Sequence, residues 1–201
     1  MSSPRKSLKE LASRIRALVL DVDGVLTDAT LFYGPAGEAL KRFSARDGFA
    51  IKMAQAEGIA VAILSGRVAP PLRARLKDLG IPRGLVIQGS RDKAHDLDAL
   101  AERLGLSVGQ LAYVGDDLPD LAALLRVGLA ACPADAAPEV RRRCHFVCGS
   151  PGGQGAVREV VELLLGSRGR WDDLVHSWER GRAKAILDRS SRKGAKRGDN
   201  S

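Results

Sequence analysis

The stretch ALVLDVDGVLTD, residues 17–28, is the most informative about the fold. It begins as an unbroken apolar run and ends in acidic residues and glycine, which predicts a buried parallel strand followed by a turn. Asp21 and Asp23 are two positions apart, and such side chains point the same way in an extended chain. Because two carboxylates repel each other without a cation, the stretch favours a divalent metal ion with oxygen ligands. Acidic residues that only cap the following turn are the structural alternative.

Apolar runs that end in small or polar residues recur three times downstream, at 59–67, 84–89 and 111–117. Four helical patterns that each close on glycine lie at 47–58, 69–80, 91–105 and 118–128,. This alternation predicts an α/β fold with a doubly wound parallel sheet and functional groups at the carboxyl ends of its strands. Further predicted elements are an entry helix (7–16), a β-hairpin (29–43), a helix near 136–143, a short strand (145–148) and a late helix (156–166).

Length and composition limit the classes of protein. The 201 residues are 45% hydrophobic and 28% charged, which suits one globular domain; we place it at residues 1–180, with a basic C-terminal tail at 181–201. No apolar run approaches the ~20 residues of a membrane span, and the start lacks the apolar core of a signal peptide. The odd set Cys132, Cys144 and Cys148 indicates reduced thiols rather than a disulfide framework. We therefore expect a cytoplasmic protein without a membrane partner.

The net charge of +8 comes mainly from the C-terminal end, since residues 168–201 hold ten Lys and Arg against five Asp and Glu. The aromatic residues are not interleaved with basic ones, as a base-stacking surface requires, so nucleic-acid binding is not expected. Polyanion binding through the tail is the alternative. It predicts salt-sensitive binding that disappears when residues 182–201 are deleted.

Each later predicted strand end supplies a group that complements the two acids. Ser65 and Gly66 offer a hydroxyl and a backbone N–H suited to a phosphate oxygen. Lys93 lies near the start of the helical pattern at 91–105, where its ammonium can neutralise a phosphoryl group. Three more carboxylates follow the last of these strands, at Asp116, Asp117 and Asp120. Taken singly, Lys93 is typical of a solvated helix and Asp117 of a helix cap, but their order along the chain favours one shared site.

This order of residues resembles the haloacid dehalogenase superfamily phosphatases. Their four motifs occur as DVDGVLTD (21–28), LSGR (64–67), QGSRDK with Lys93, and VGDDLPDL (114–121). The resemblance implies that Asp21 is the nucleophile and forms an aspartyl-phosphate, and that Asp23 is the general acid and base. It further implies Mg²⁺ bound by the Asp21 carboxylate, the Asp23 carbonyl and Asp116, with Asp117 or Asp120 in support, and a phosphoryl group held by Ser65 and Lys93.

The spacing leaves no room for a cap domain, because only 43 residues separate Asp21 from Ser65 and 27 separate Ser65 from Lys93. A macromolecular substrate or another subunit must then cover the site. The capless 3-deoxy-D-manno-octulosonate 8-phosphate phosphatases resemble this chain in further segments: LFYGPAGEALKRF (31–43), ARDGFAIKM (45–53) and GGQGAVRE (152–159). That resemblance implies a homotetramer in which a neighbouring subunit closes the site.

The same resemblance implies substrate contacts from Gly66, Arg46, Arg67 and Arg158, since arginine forms a bidentate fork with a carboxylate or phosphate. For Arg46 and Arg158 a solvated helical position is the structural alternative. Two residues depart from the family pattern near the entrance. Ala29 replaces a common glycine and Ser44 a frequent histidine.

The sequence thus predicts a Mg²⁺-dependent phosphomonoesterase that hydrolyses 3-deoxy-D-manno-octulosonate 8-phosphate for lipopolysaccharide synthesis. A phosphatase for a nine-carbon sialic-acid-type 9-phosphate and a broad small-molecule phosphatase are the alternatives on the same scaffold. A non-catalytic interaction module is the alternative of another class. The intact set of acids and Lys93 argues against it.

Overall fold

A computed structural model of the chain describes residues 7–181. Six parallel strands form the central sheet in the order β5-β4-β1-β6-β7-β8, and β2 and β3 form a separate antiparallel hairpin. The strands are β1 (Ala17–Leu20), β2 (Phe32–Gly34), β3 (Gly37–Leu40), β4 (Ala60–Ser65), β5 (Val86–Gln88), β6 (Leu111–Val114), β7 (Leu129–Cys132) and β8 (Phe146–Val147). The predicted doubly wound sheet and hairpin are therefore confirmed, with no cap domain between β1 and β4.

Helices cover both faces of the sheet. They are α1 (Leu8–Arg14), α2 (Ala45–Ala56), α3 (Pro70–Asp78), α4 (Lys93–Leu104), α5 (Leu121–Leu124), α6 (Pro138–Arg141), α7 (Ala156–Gly166) and α8 (Arg170–Glu179). Alternate residues of β1 enter two cores: Leu18 and Leu20 pack on the side of α1, α2, α3 and α7, and Ala17 and Val19 on the side of α4. Strand β1 is buried on both faces, as its unbroken apolar run predicts.

Strand β1 lies between β4 and β6 in register, with Leu20 beside Ile63 and Val114. After β1 the chain adds β4 and β5 next to one edge of β1, and it later adds β6, β7 and β8 next to the other edge. The carboxyl ends of β1, β4 and β6 therefore border one crevice. In open α/β sheets this switch point is where ligands bind. The fold therefore places Asp21, Ser65 and Gly115 at one edge.

Three elements differ from the sequence predictions. Strand β7 is missing from them because its sequence LAAC is rich in alanine, which has low strand propensity; burial between β6 and β8 stabilises it instead,. Helix α8 is likewise missing from them. The predicted helix at 118–128 is a 3₁₀ turn (Leu118–Asp120) followed by the single turn α5, since Asp120 is used as a buried acceptor.

The predicted tail at 181–201 lies outside the described residues except for Gly181. Within residues 7–181 no helix combines the length and the apolar character needed to cross a bilayer.

Candidate active site

Asp21 lies immediately beyond β1, where its backbone N–H still donates to the Val114 carbonyl at 3.0 Å. Its residue surface is only 7% exposed. Because β1 ends at Leu20, Asp23 lies in the following turn and not in an extended chain with Asp21. The sequence argument took both acids as part of one extended chain, and that premise is wrong for Asp23. The two acids face different partners, and this difference separates their possible roles.

The Asp21 carboxylate joins Asp116 and Asp120, since one carboxyl oxygen of each lies within 4.8 Å of the others. Lys93, the first residue of α4, places its Nζ 3.0 Å from Asp21 Oδ2 and 2.5 Å from Asp120 Oδ1. Four of the predicted site residues thus meet at the carboxyl ends of β1 and β6. They are separated by up to 99 positions in the sequence, so only the parallel sheet brings them together.

Asp120 holds this cluster in place. Its Oδ1 accepts from Lys93 Nζ and from the Tyr113 hydroxyl, both at 2.5 Å, and its Oδ2 accepts from the backbone N–H groups of Asp116 and Asp117 at 2.9 and 3.2 Å. Four donors occupy the lone pairs of this carboxylate. Asp120 therefore supports the neighbouring groups, and Asp21 and Asp116 are left with free acceptor capacity. Tyr113 is a member of this network that the sequence analysis did not identify.

Asp117 is placed differently. Its side chain is exposed, and its Oδ1 accepts from the Leu118 N–H at 2.8 Å to cap the 3₁₀ turn. Between the two supporting candidates, Asp120 is the buried one.

The crowded carboxylates favour protonation in the absence of a cation. Burial, followed by the negative charge of Asp120, raises the pKa of Asp21 to about 7 although Lys93 opposes the rise. Burial together with the charges of Asp120 and Asp21 raises the pKa of Asp116 to about 8. For Lys93, burial alone lowers the pKa, but Asp21 and Asp120 bring it above its ordinary value. One ammonium faces three carboxylates, which leaves an excess of negative charge.

This donor set fits a hard divalent cation, because Mg²⁺ prefers carboxylate oxygens and needs few protein ligands. A cation between Asp21 and Asp116 removes the repulsion that raises their pKa values. Gly24 makes the approach possible: its φ is +85°, and a Cβ at this position would overlap the Asp116 carboxylate. The DxDG pattern therefore has a geometric requirement for its glycine.

Strand β4 ends at Ser65, which is 2% exposed, and its Oγ accepts from the Arg67 N–H at 3.2 Å. Gly66 follows at the same edge, where a Cβ would have the Ser90 carbonyl oxygen as its nearest neighbour, at 3.7 Å. Because Oγ accepts the bond from the Arg67 N–H, the Ser65 hydroxyl keeps its own hydrogen to donate,. Ser65 thus lies at the edge predicted from the sequence.

The hairpin contributes residues that the sequence analysis missed. Lys41 donates to Asp23 Oδ1 and lies 2.5 Å from Glu38 Oε1. Arg67 Nη2 donates to Glu38 Oε2 at 3.1 Å and to the Tyr33 hydroxyl at 3.0 Å. These two acceptors, Tyr33 first, hold the pKa of Arg67 above its ordinary value. The GEALK segment (37–41) offers one signal, a Glu and a Lys three positions apart beside a glycine turn.

The other two predicted arginines lie elsewhere. Arg46 is exposed in the first turn of α2, and no ion pair joins it to the cluster among residues 7–181. Arg158 pairs with Glu162 at 2.6 Å, and its guanidinium lies 5.3 Å from the Trp171 ring centroid. Within this chain the structure therefore brings only Arg67 of the three arginines to the acids.

The predicted late Gly-rich turn packs directly on the first motif. Gly153 N–H donates to the Val25 carbonyl at 2.9 Å, and Gly152 N–H to Asp135 Oδ1 at 2.9 Å. A Cβ at Gly152 would overlap the Gly24 carbonyl, and one at Gly153 would overlap the backbone of Thr27. Glycine is required here because two backbones meet without room for side chains.

Comparison with known proteins agrees with this geometry. Residues 85–160 match the family model of the haloacid dehalogenase-like hydrolases. The chain is 43% identical over 162 residues to the 3-deoxy-D-manno-octulosonate 8-phosphate phosphatase of Escherichia coli strain K12, an alignment that covers 81% of this chain and 85% of that protein.

Two solved structures are similar along most of their length. One is the 3-deoxy-D-manno-octulosonate 8-phosphate phosphatase of Moraxella catarrhalis in complex with magnesium ion, phosphate ion and KDO, with a TM-score of 0.81, 34% identity and coverage of 85% of this chain and 97% of that one. The other is the cobalt-bound deoxy-D-mannose-octulosonate 8-phosphate phosphatase of Haemophilus influenzae, with a TM-score of 0.78, 40% identity and coverage of 80% and 93%. With its buried acids and lysine at the sheet edge, the chain belongs to the 3-deoxy-D-manno-octulosonate 8-phosphate phosphatase family of haloacid dehalogenase-like hydrolases.

Proposed function

We propose that this protein is a Mg²⁺-dependent phosphomonoesterase that converts 3-deoxy-D-manno-octulosonate 8-phosphate to the free sugar acid and phosphate. The observation that supports this most directly is Asp21, a carboxylate that is 7% exposed and lies 3.0 Å from Lys93 Nζ, beside Asp116. The proposed reaction is the one named for the phosphatase of Escherichia coli strain K12, which is 43% identical to this chain over the aligned residues. The product sugar acid would enter lipopolysaccharide synthesis.

In the first half-reaction an Asp21 oxygen bonds to phosphorus while the bond from phosphorus to the ester oxygen breaks. The electron pair of that bond stays on the ester oxygen, which takes a proton from Asp23 and leaves as the alcohol. In the second half, water attacks the aspartyl-phosphate and Asp23 accepts its proton. The bond from phosphorus to Asp21 breaks, and inorganic phosphate leaves.

Other residues of the chain stabilise and position the phosphoryl group. Lys93 and the Ser65 hydroxyl hold its oxygens as charge develops. Asp21, Asp116 and the Asp23 backbone carbonyl would hold Mg²⁺, which supplies positive charge against the phosphoryl oxygens. Asp120 fixes Lys93 and the Asp116 backbone and is assigned the supporting role. Arg67 is the proposed contact for the substrate carboxylate, together with Gly66; Arg46 and Arg158 are candidates only from a neighbouring subunit or after a side-chain movement.

The direct test is phosphate release from the eight-carbon and nine-carbon sugar-acid phosphates and from hexose phosphates, with Mg²⁺ and with EDTA. We expect strong preference for the eight-carbon ester and loss of turnover in EDTA. Asp21→Asn should remove turnover with the fold intact, since it removes the nucleophile. Preference for the nine-carbon ester would contradict the proposed substrate. An Asp21→Asn protein that is still active would contradict the proposed mechanism.

We further propose a homotetramer in the cytoplasm, in which a neighbouring subunit covers the open site. Support comes from the hairpin region, which exposes large apolar side chains: Leu31, Phe32, Tyr33 and Leu40. Exposed apolar patches of this kind are typical of interfaces. Light scattering should show four copies, and Leu40→Glu should shift the protein to smaller species. A monomeric wild-type protein with full activity would contradict this proposal.

A further inference from the structure

Asp23, Lys41, Glu38 and Arg67 form a closed ring of alternating charges beside the nucleophile. Lys41 Nζ contacts Asp23 Oδ1 and Glu38 Oε1, and Arg67 contacts Glu38 Oε2 at 3.1 Å. The ring closes where Arg67 Nε lies 3.6 Å from Asp23 Oδ2. It joins three separate segments: the turn after β1, the hairpin and the end of β4.

Burial restricts the positions of the charged groups in this ring. The Lys41 side chain is 1% exposed and that of Glu38 is 5% exposed, although both come from a hairpin whose neighbouring residues face solvent. A buried ammonium is destabilising unless paired carboxylates compensate its charge. Lys41 is therefore confined to the position between Asp23 and Glu38, and Asp23 Oδ1 is confined with it.

The second oxygen of Asp23 is bound less tightly. At 3.6 Å, Arg67 Nε is too far from Oδ2 for a normal hydrogen bond,. The same Nε is buried and has no hydrogen-bond partner among the described residues. A buried donor of this kind is costly to leave unpaired. Because the Asp23 side chain is also 20% exposed, its Oδ2 remains available to a ligand oxygen.

We propose that Lys41, held by Glu38, is a positioning residue for proton transfer: it anchors Asp23 Oδ1 so that Oδ2 faces the ester oxygen of the substrate. The inference rests on the proposed function only in taking Asp23 as the general acid. The proton moves from Oδ2 to the ester oxygen as the bond from phosphorus to that oxygen breaks and the bond to Asp21 forms. Lys41 itself does not touch the reacting atoms.

The test compares two esters that differ in how much their leaving group needs a proton. Benzyl phosphate releases a poor alkoxide leaving group, whereas p-nitrophenyl phosphate releases a stable phenolate, and neither has a sugar carboxylate. The measured quantity is kcat/KM, which covers the steps up to departure of the alcohol and excludes the later attack of water. Lys41→Met should reduce kcat/KM for benzyl phosphate by about tenfold to a hundredfold, because the variant loses part of the contribution of general acid catalysis. It should reduce kcat/KM for p-nitrophenyl phosphate by less than about threefold, because that leaving group needs no proton.

Arg42→Met is the matched control, because it removes a positive charge from the adjacent position. Arg42 has a 62% exposed side chain and pairs with Asp28, away from the ring. The Arg42→Met substitution should leave both kcat/KM values unchanged. Thermal unfolding with and without Mg²⁺ checks that Lys41→Met folds and keeps its response to the metal. If that variant does not fold, Glu38→Gln decides, since it weakens the hold on Lys41 and should give a smaller loss with the same selectivity.

Equal losses on the two esters, or no loss on either, would overturn the inference. The test of Lys41 is independent of the proposed substrate. A protein that cleaves the two aromatic esters but not the sugar-acid phosphate would contradict that substrate, and the effect of Lys41→Met could still be measured on it. A wild-type protein that hydrolyses none of the esters overturns both.

Discussion

Ala29 shows how one residue departs from what its backbone position favours. Its φ is +61°, and it is the only non-glycine residue among those described with a positive φ. The left-handed region costs an L-residue roughly 1–2 kcal/mol because Cβ crowds the following carbonyl. The family resemblance places glycine here, so the structure explains why that glycine is common. Ser44, the other departure, caps α2 by accepting from the Asp47 N–H at 3.2 Å.

Ala29→Gly should stabilise the protein by about 1 kcal/mol, since the released strain exceeds the extra entropy of the unfolded chain. Thermal unfolding measures the change, with an expected rise of about 2–4 °C in Tm. Ala36→Gly, in the hairpin turn, is the control and should give no increase. A lower Tm for Ala29→Gly would show that the backbone is not strained there.

Asp120 and Asp117 differ by their burial, although both follow the same strand. Asp120→Ala leaves Tyr113 and two backbone N–H groups without their acceptor and Lys93 with Asp21 alone, so we expect a loss of about 3–5 kcal/mol in the free energy of unfolding,. Asp117→Ala removes one exposed cap and should cost about 1 kcal/mol. Denaturant unfolding in excess Mg²⁺ compares them. Equal costs would contradict the supporting role of Asp120.

At the scale of elements, the buried Asp47 joins α2 to the start of α7. Its Oδ1 accepts from the Arg158 N–H at 2.9 Å and its Oδ2 from the Gly155 N–H at 3.1 Å, across more than a hundred residues of sequence. A carboxylate at a helix N-terminus satisfies free donors and interacts favourably with the helix dipole. The Gly-rich turn that packs on the first motif directly precedes this helix start. Asp47 therefore holds one wall of the site in place without facing the acids.

Asp47→Ala should lower the free energy of unfolding by about 2 kcal/mol and reduce kcat/KM, because the Gly-rich turn loses its anchor. Ser7→Ala removes the exposed cap of α1 and is the control; it should cost less and leave kcat/KM unchanged. Unfolding curves and phosphate release measure both effects. Full activity in Asp47→Ala would show that the turn is held by its backbone contacts alone.

At the scale of the whole molecule, the sheet gathers more negative charge at one edge than Lys93 can balance. In the absence of metal, the pKa values of about 7 for Asp21 and about 8 for Asp116 mean that both hold protons at pH 6. A group with a raised folded-state pKa stabilises the fold at low pH and loses that contribution as pH rises through the folded value. The protein in EDTA should therefore lose stability from about pH 4 to pH 8.

Magnesium affinity should rise between pH 6 and pH 8.5, because each carboxylate must lose its proton before it binds the cation. Calorimetric titration at these pH values should show weaker binding and greater proton release at the lower pH. Asp116→Asn should bind Mg²⁺ poorly at every pH. Equal affinity at pH 6 and 8.5 would show that the carboxylates are already ionised without metal.

Local sequence patterns are sufficient to predict the fold class and to place Asp21 and Ser65, because the end of an apolar run marks the carboxyl end of a strand. Which acid faces which partner depends on the folded chain. Asp23 turns to Lys41 and Arg67, and Asp120 to Tyr113 and Lys93, since contacts between distant segments depend on strand order and packing. Strand β7 and the role of Asp47 likewise depend on burial and on long-range hydrogen bonds, which leave no periodic signal along the chain.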